Sequence, residues 1–302
     1  MKENSDFEVI IIGGSYAGLS AAMSLGRSLR RVLVLDGGQP CNRQTPHSHN
    51  FLTQDGQTPA EIALTGKEQV LKYNTVHFRN GFAAGAQTTE NGFELITSAG
   101  ELFTAGKLIF ATGLKDIMPD IDGFAECWGI SILHCPYCHG YEVRHEKTGI
   151  FGNGAMGFEF ARMISNWTKD LTIFTNGEAT FSPEESEKLK QHDIRVVETA
   201  IGLIQHESGR IQNVVLRDGT KVALKAIYAR PAFVQHSDIP AGLGCELTEH
   251  GLLKVDVCQK TTVPGIYAAG DNSNLARSVA MSVSAGSMTG AMINRSLIEE
   301  GF

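Results

Sequence analysis

A short buried strand that runs into a glycine-rich turn and then into a helix occurs twice in this chain. The first copy has a strand pattern at residues 8–12, the turn Gly13-Gly14-Ser15-Tyr16-Ala17-Gly18, and a helix pattern to about Leu29. The second has a strand at 148–151, the turn Gly152-Asn153-Gly154-Ala155-Met156-Gly157, and a helix pattern over 158–166. Glycine in such a turn lets the backbone approach a pyrophosphate, and the helix start offers unpaired N–H groups to it. Each copy leads into a further apolar strand, 31–35 ending at Asp36 in the first and 171–174 in the second. Strand–loop–helix–strand units of this kind build doubly wound α/β domains. The repeat makes two similar nucleotide-binding domains the simplest reading, and 302 residues are enough for both.

Between the two fingerprints stands Cys135-Pro136-Tyr137-Cys138. Two thiols separated by two residues can close into a disulfide and reopen, and nucleotide cofactors on either side suggest a source or sink of electrons. The chain has six cysteines, and this is the one closely spaced pair. That excludes a disulfide-stapled scaffold and leaves no second pair for a four-cysteine zinc site, so no metal is expected. Cys41, Cys127, Cys245 and Cys258 read as ordinary residues, and a reducing cytoplasm is the expected compartment.

The net charge is −7 without a long basic run, which argues against nucleic acid or an anionic membrane as partner. The first residues do not read as a secretory signal, and no apolar run is long enough to span a bilayer. Residues 37–55 are loop-rich and hold His47, His49 and Asn50. A helix is expected at 59–72, antiparallel strands over 76–97 with a turn at Asn91-Gly92, and a buried strand at 107–110 closed by Ala111-Thr112-Gly113. Beyond the second fingerprint come a helix at 183–192, alternating strands over 194–229, and a closing helix of small residues over 279–299.

The first fingerprint, Ala111-Thr112-Gly113, the Cys-Pro-Tyr-Cys segment beside the second fingerprint and Tyr267-Ala268-Ala269-Gly270-Asp271 together resemble the low-molecular-weight thioredoxin reductase family of FAD-dependent disulfide oxidoreductases. The likeness covers essentially the whole chain. It implies a discontinuous FAD domain, 1–115 plus 238–302, into which a second Rossmann-like domain, 116–237, is inserted with the cysteine pair. It also implies a homodimer whose two domains rotate relative to each other during turnover. On this resemblance Gly13, Gly14, Ser15, Ala17 and Gly18 face the FAD pyrophosphate, although Ser15 stands where the ideal fingerprint has glycine. Asp36 accepts from the ribose, and Thr112, Gly113, Gly270 and Asp271 complete the cradle. Ser278, Val279 and Ala280 lie near the isoalloxazine. Asn50 either touches the flavin or bonds its own loop. Cys138 lies against flavin C4a, and Cys135 exchanges with the external substrate.

His139 stands where reductases of this family carry an aspartate as acid–base group. An imidazole titrates nearer neutrality and can take a proton from a thiol or return it. His134, Glu142, His47 and His49 are further candidates around it, each with a plain loop role as the alternative. Gly152, Gly154 and Gly157 mark a nicotinamide dinucleotide site. The next strand, however, ends in Phe174-Thr175-Asn176-Gly177-Glu178, where NADPH-dependent relatives have arginines for the 2′-phosphate. NADPH held by other residues, NADH, or no nicotinamide at all remain open; family members without it include dithiol oxidases that pass electrons to oxygen and carry histidine after the second cysteine. The leading expectation is an FAD-dependent dithiol–disulfide oxidoreductase acting on a thioredoxin-like protein or a small dithiol or disulfide. An NADPH-dependent thioredoxin reductase and a flavin-bearing redox sensor or binding module are the alternatives.

Overall fold

The computed structural model of the chain describes residues 6–302; residues 1–5, part of the stretch read as no secretory signal, lie outside them. The described chain divides into two compact units. One holds the residues through Arg43, Pro59–Lys115 and Phe233–Phe302, and the other Gln44–Thr58 and Asp116–Ala232. The second unit is thus inserted into the first, and the loop 44–58 groups with it although it lies far upstream.

In chain order the first unit begins with β1 (Asp6–Ile12), α1 (Tyr16–Arg27), β2 (Val32–Asp36), α2 (Pro59–Val70), β3 (Val76–Asn80), β4 (Ala83–Thr89), β5 (Gly92–Thr97) and β6 (Leu102–Phe110). A connecting strand β7 (Leu114–Ile117) leads to α3 (Phe124–Cys127), β8 (Ile132–Leu133), α4 (Pro136–His139), β9 (Thr148–Phe151), α5 (Gly154–Ile164), β10 (Leu171–Phe174) and α6 (Pro183–Gln191). Then come β11 (Arg195–Val197), β12 (Ile201–Glu207), β13 (Arg210–Leu216), β14 (Lys221–Ala223) and β15 (Ala226–Ala229). The return strand β16 (Ala232–Gln235) pairs with β7. The chain closes with α7 (Ile239–Gly242), β17 (Ile266–Ala268) and α8 (Val279–Gly301).

The first unit's sheet has the order β3-β2-β1-β6-β5-β4, with β17 also on β6. Its core pairs are parallel, and β5 and β4 extend it antiparallel. Val9, Ile10 and Ile11 are wholly buried, as a parallel strand covered on both faces must be. Alternation sends Val9 and Ile11 toward the α1 and α8 side chains Ala21, Leu25 and Ile293, and Ile10 toward Leu95, Phe103 and Phe110. The two helices touch through small residues. A methyl at Gly286 would lie 2.1 Å from the Ala17 carbonyl oxygen, and Ser20 Oγ donates to the Val283 carbonyl at 2.7 Å.

The second unit repeats the plan with the parallel order β11-β10-β9-β15-β8. The antiparallel sheet β12-β13-β14 covers one face through Ile204, Val214 and Leu216 against Phe174 and Ile227. On the other face Ile150, Ile173 and Tyr228 pack on Phe160, Ile164 and Leu189 of α5 and α6. Four local readings shift. β3, expected to be antiparallel with the rest of 76–97, pairs parallel with β2 instead, and the antiparallel hairpin is β4–β5 alone. β6 begins at Leu102, because Phe103 and Ala105 are buried in alternation before residue 107. The hairpin turn is Glu90-Asn91, with Gly92 (φ 128°) opening β5 opposite Thr89. α5 starts at Gly154, inside the glycine turn.

Candidate active site: a thiol pair and two nucleotide turns

β8 delivers the chain to Cys135, whose extended backbone (φ −122°, ψ 115°) makes it the N-cap of α4. Pro136 occupies the first helical position, where no N–H is needed. Cys138 N–H donates to Cys135 Sγ at 3.2 Å, and His139 N–H donates to the Cys135 carbonyl, also at 3.2 Å. The turn closes at Gly140, where a methyl would lie 2.4 Å from the Pro136 carbonyl oxygen and 2.8 Å from Trp167 Nε1. Trp167 also stands edge-on to Tyr137, with ring centroids 5.6 Å apart.

Both thiols are half-buried. The Cys135 thiol is pushed down to about 7, first by the hydrogen bond from the Cys138 side chain; burial opposes this, while backbone N–H groups and Arg230 assist. A thiolate is the nucleophile in exchange, so Cys135 is the partner prepared to attack or leave near neutral pH.

His139 is pushed below the ordinary imidazole range, chiefly by burial; Glu142 pulls it back up and His49 pushes it further down. Its ring is therefore neutral at neutral pH and able to accept a proton. The loop 44–58 brings His49 to the same place. His49 stands edge-on to His139 with centroids 6.3 Å apart, its Nε2 is 3.5 Å from Glu142 Oε1, and its Nδ1 is 3.7 Å from Asp55 Oδ1. The loop is braced by Ser48 N–H to the Gln57 carbonyl and Gly56 N–H to the Ser48 carbonyl, each at 2.8 Å. Asn50 has a left-handed backbone (φ 59°), a conformation asparagine tolerates, and its backbone N–H donates to Asp55 Oδ1 at 2.7 Å. His47 Nδ1 pairs with the Gly56 carbonyl at 3.0 Å, and His134 stands edge-on to Trp128.

Sequence reasoning missed two residues here. Tyr228 on β15 is paired in register with Leu133, two residues before Cys135, and is 1% exposed. Its hydroxyl finds no partner among the described residues, and its pKa is raised by burial and then by Cys135, Glu142 and Cys138. Arg230, just beyond β15, adds positive charge near Cys135 and lies 4.3 Å from the Phe160 ring centroid. Only strand pairing brings β15 beside β8, so no local signal marked either residue.

In the first unit the turn 13–18 forms a backbone cradle. Gly13 (φ 107°) is pressed against Ala111, whose carbonyl oxygen would be 2.2 Å from a methyl there. Ser15 is the N-cap of α1 and makes no side-chain cap hydrogen bond, so the helix start carries no cap from its own side chain. Ala17 and Gly18 are buried in that first turn. Asp36 ends β2 and accepts from Gly14 N–H at 3.0 Å. Gly113 (φ 66°) and Thr112 follow β6, and Gly270 (φ 95°) sets the end of β17 against Ala17. Asp271 accepts from Arg277 Nε and Ser282 Oγ, each at 3.4 Å. Ser278 caps α8 by accepting from Met281 N–H, with Val279 and Ala280 in the first turn. A narrow glycine cradle, a helix start without a side-chain cap and a carboxylate at the strand end fit the pyrophosphate and ribose of FAD.

The second fingerprint is arranged differently. Asn153 Oδ1 accepts from Gly154 N–H at 2.8 Å, Thr180 N–H at 2.9 Å and Thr180 Oγ at 3.2 Å, while its Nδ2 donates to the Glu178 carbonyl at 2.8 Å. The strand-end turn 175–181 is therefore tied to the glycine turn 152–157. Met156 reaches to 3.0 Å of where a Gly152 methyl would stand, and Gly157 lies close to Gly152. Thr175 Oγ donates to the Gly177 carbonyl at 2.6 Å, Asn176 Oδ1 accepts from Ile201 N–H at 2.8 Å, and Glu198 accepts from Ala179 N–H at 2.8 Å.

Among the described residues no cluster of three or more His, Cys, Asp or Glu is placed to hold a metal ion, and no helix is long and apolar enough to cross a membrane. A thiol pair beside an imidazole and a dinucleotide cradle of the FAD kind define a flavin-dependent disulfide oxidoreductase. The chain belongs to the pyridine nucleotide-disulphide oxidoreductase family, whose model matches residues 7–290. It is 31% identical to the thioredoxin reductase tcpT of Claviceps purpurea, over 99% of this chain and 97% of that protein. It is 32% identical to the thioredoxin reductase sirT of Leptosphaeria maculans, over 96% and 94%. A crystal structure of an oxidoreductase from Agrobacterium tumefaciens superposes with a TM-score of 0.91 at 39% identity, covering 97% of this chain and 99% of that one. The chain is thus a thioredoxin reductase-like oxidoreductase with FAD as its cofactor.

Proposed function

We propose that Cys135 and Cys138 are the redox pair of a dithiol–disulfide oxidoreductase in which a nicotinamide is not the ready electron donor. The observation that carries this is the Cys135 turn: a thiol lowered to about 7 by Cys138, followed at once by a half-buried imidazole that burial holds below its ordinary range. Cys135 forms the mixed disulfide with substrate. It forms when a substrate thiolate attacks Cys135 Sγ of the oxidised pair and displaces Cys138 as thiolate; the substrate's second thiol then displaces Cys135, so that a substrate dithiol leaves as its disulfide and the pair keeps two electrons and two protons. His139 accepts a thiol proton in that direction and returns it in the other. Bound FAD supplies the two-electron acceptor or donor for the pair. Gly13, Gly14, Ser15, Ala17, Gly18, Asp36, Thr112, Gly113, Gly270 and Asp271 hold it, and Ser278 to Ala280 approach its ring system. The substrate is a thioredoxin-like protein or a small dithiol or disulfide, as the relatives' names support.

The reading of the nicotinamide side rests on the second fingerprint. Asn153 and the turn 175–181 satisfy one another where a pyrophosphate would lie against Gly152, Gly154 and Gly157, and residues 174–181 contain no cation for a 2′-phosphate. The second reading, an NADPH-dependent thioredoxin reductase, is favoured by the names of the relatives and by the second strand–glycine turn–helix unit. Anaerobic addition of one equivalent of NADPH, NADH or a dithiol separates them through the flavin's visible absorbance. Bleaching by dithiol and slow or no bleaching by either nicotinamide is expected. Fast bleaching by NADPH establishes the reductase instead. A homodimer in the cytoplasm is part of the proposal, and sedimentation of the holoprotein tests the dimer.

A further inference from the structure

Glu142 follows the cysteine turn closely enough to draw a proton onto His139, which would cost the neutral ring its use as a base. A second imidazole stands at this carboxylate. We infer that His49 is a positioning residue: gripped between Asp55 and Glu142, it engages the Glu142 carboxylate and so keeps His139 free to take a thiol proton. The inference rests on the acid–base role proposed for His139.

The position is built from several independent contacts. His49 is 21% exposed, with Nε2 3.5 Å from Glu142 and Nδ1 3.7 Å from Asp55, distances of charge contact rather than direct hydrogen bonding. Asp55 is itself fixed by the Asn50 N–H at 2.7 Å, and the two backbone bonds joining Ser48 to Gly56 and Gln57 hold the loop closed. Set against the carboxylate in this way, His49 opposes the pull of Glu142 on the adjoining ring. The charged and titratable groups around the two rings are Asp55 and His47 from the loop, Glu142 and the two thiols from the cysteine segment, and Tyr228 and Arg230 from β15 and its end. Among them His49 is the group that contacts both carboxylates.

The test follows the His139 imidazole by NMR in the reduced holoprotein labelled with 13C-histidine, its resonance assigned by loss in His139→Gln. His49→Gln is expected to raise the His139 pKa by on the order of half a pH unit, and Glu142→Gln to lower it. Opposite signs are the signature, because loosening the site would only wet His139 and move it upward in both variants. Both rising together, or no upward movement in His49→Gln, overturns the inference; His49→Asn replaces the glutamine variant if that does not fold. This readout needs no turnover. Failure of the catalytic role of His139 is seen separately, as unchanged dithiol-driven flavin bleaching in His139→Gln.

Discussion

Cys135 owes its reactivity to a partner three residues away. Because the Cys138 side chain is the largest cause of its lowered pKa, Cys138→Ala is expected to move the thiol back up toward the ordinary cysteine range, while the N–H of residue 138 stays in place. Alkylation of Cys135 by iodoacetamide, resolved by peptide mass spectrometry, should rise through about pH 7 in the wild type and at clearly higher pH in the variant. An unchanged midpoint would mean that backbone and Arg230 alone set the value. Asp36 is the corresponding residue in the first unit. Asp36→Ala removes a charged acceptor and frees Gly14 N–H, so FAD affinity is expected to fall by about 1.5–3 kcal/mol, measurable by fluorescence titration of the apoprotein. Both residues were legible in the sequence because their signals are local: a two-residue spacing, and an acid at the end of the strand after a glycine turn. Tyr228 and Arg230 were not, because strand register rather than sequence neighbourhood places them by the pair.

At the level of elements, α1 and α8 must approach closely for the turn 13–18 and Asp271 to belong to one unit. Gly286 permits this, since a methyl there would stand 2.1 Å from the Ala17 carbonyl oxygen. Gly286→Ala is expected to destabilise by about 1–3 kcal/mol and to weaken FAD binding as well, because the displaced backbone is the cradle's own. Calorimetry with and without FAD checks both effects. The turn 175–181 makes a contrary case. Its lack of arginine suggests Thr175→Arg with Asn176→Arg as a route to NADPH use. Yet Thr175 Oγ holds the Gly177 and Val197 carbonyls, and Asn176, left-handed at φ 56°, accepts from Ile201 N–H. The double variant is therefore expected to lose thermal stability without gaining NADPH-dependent flavin reduction; a gain would show that the turn yields to nucleotide. Strands read as buried runs, such as Thr148–Phe151 and Leu171–Phe174, matched the structure to the residue because both faces are covered. The bonds of the loop 44–58 to itself leave no periodic trace in the sequence, although its histidines already stand there as candidates around His139, where the structure brings His49.

For the whole molecule, one strand order is used twice: β3-β2-β1-β6 with β17 in one unit, β11-β10-β9-β15-β8 in the other. The duplication was legible because two glycine turns follow two buried strands. What differed was invisible at that level: Ser15 caps the first helix without a side-chain bond, whereas in the second turn Asn153 accepts from Gly154 and Thr180. An enzyme whose second cradle is self-satisfied should take its electrons through sulfur. The most direct measurement is stopped-flow flavin reduction by a dithiol under anaerobic conditions, wild type against Cys138→Ser. The expected result is two-electron bleaching in the wild type, with the variant yellow, FAD-loaded and no longer rapidly bleached. Equal bleaching rates in the two proteins would contradict an electron path through the cysteine pair.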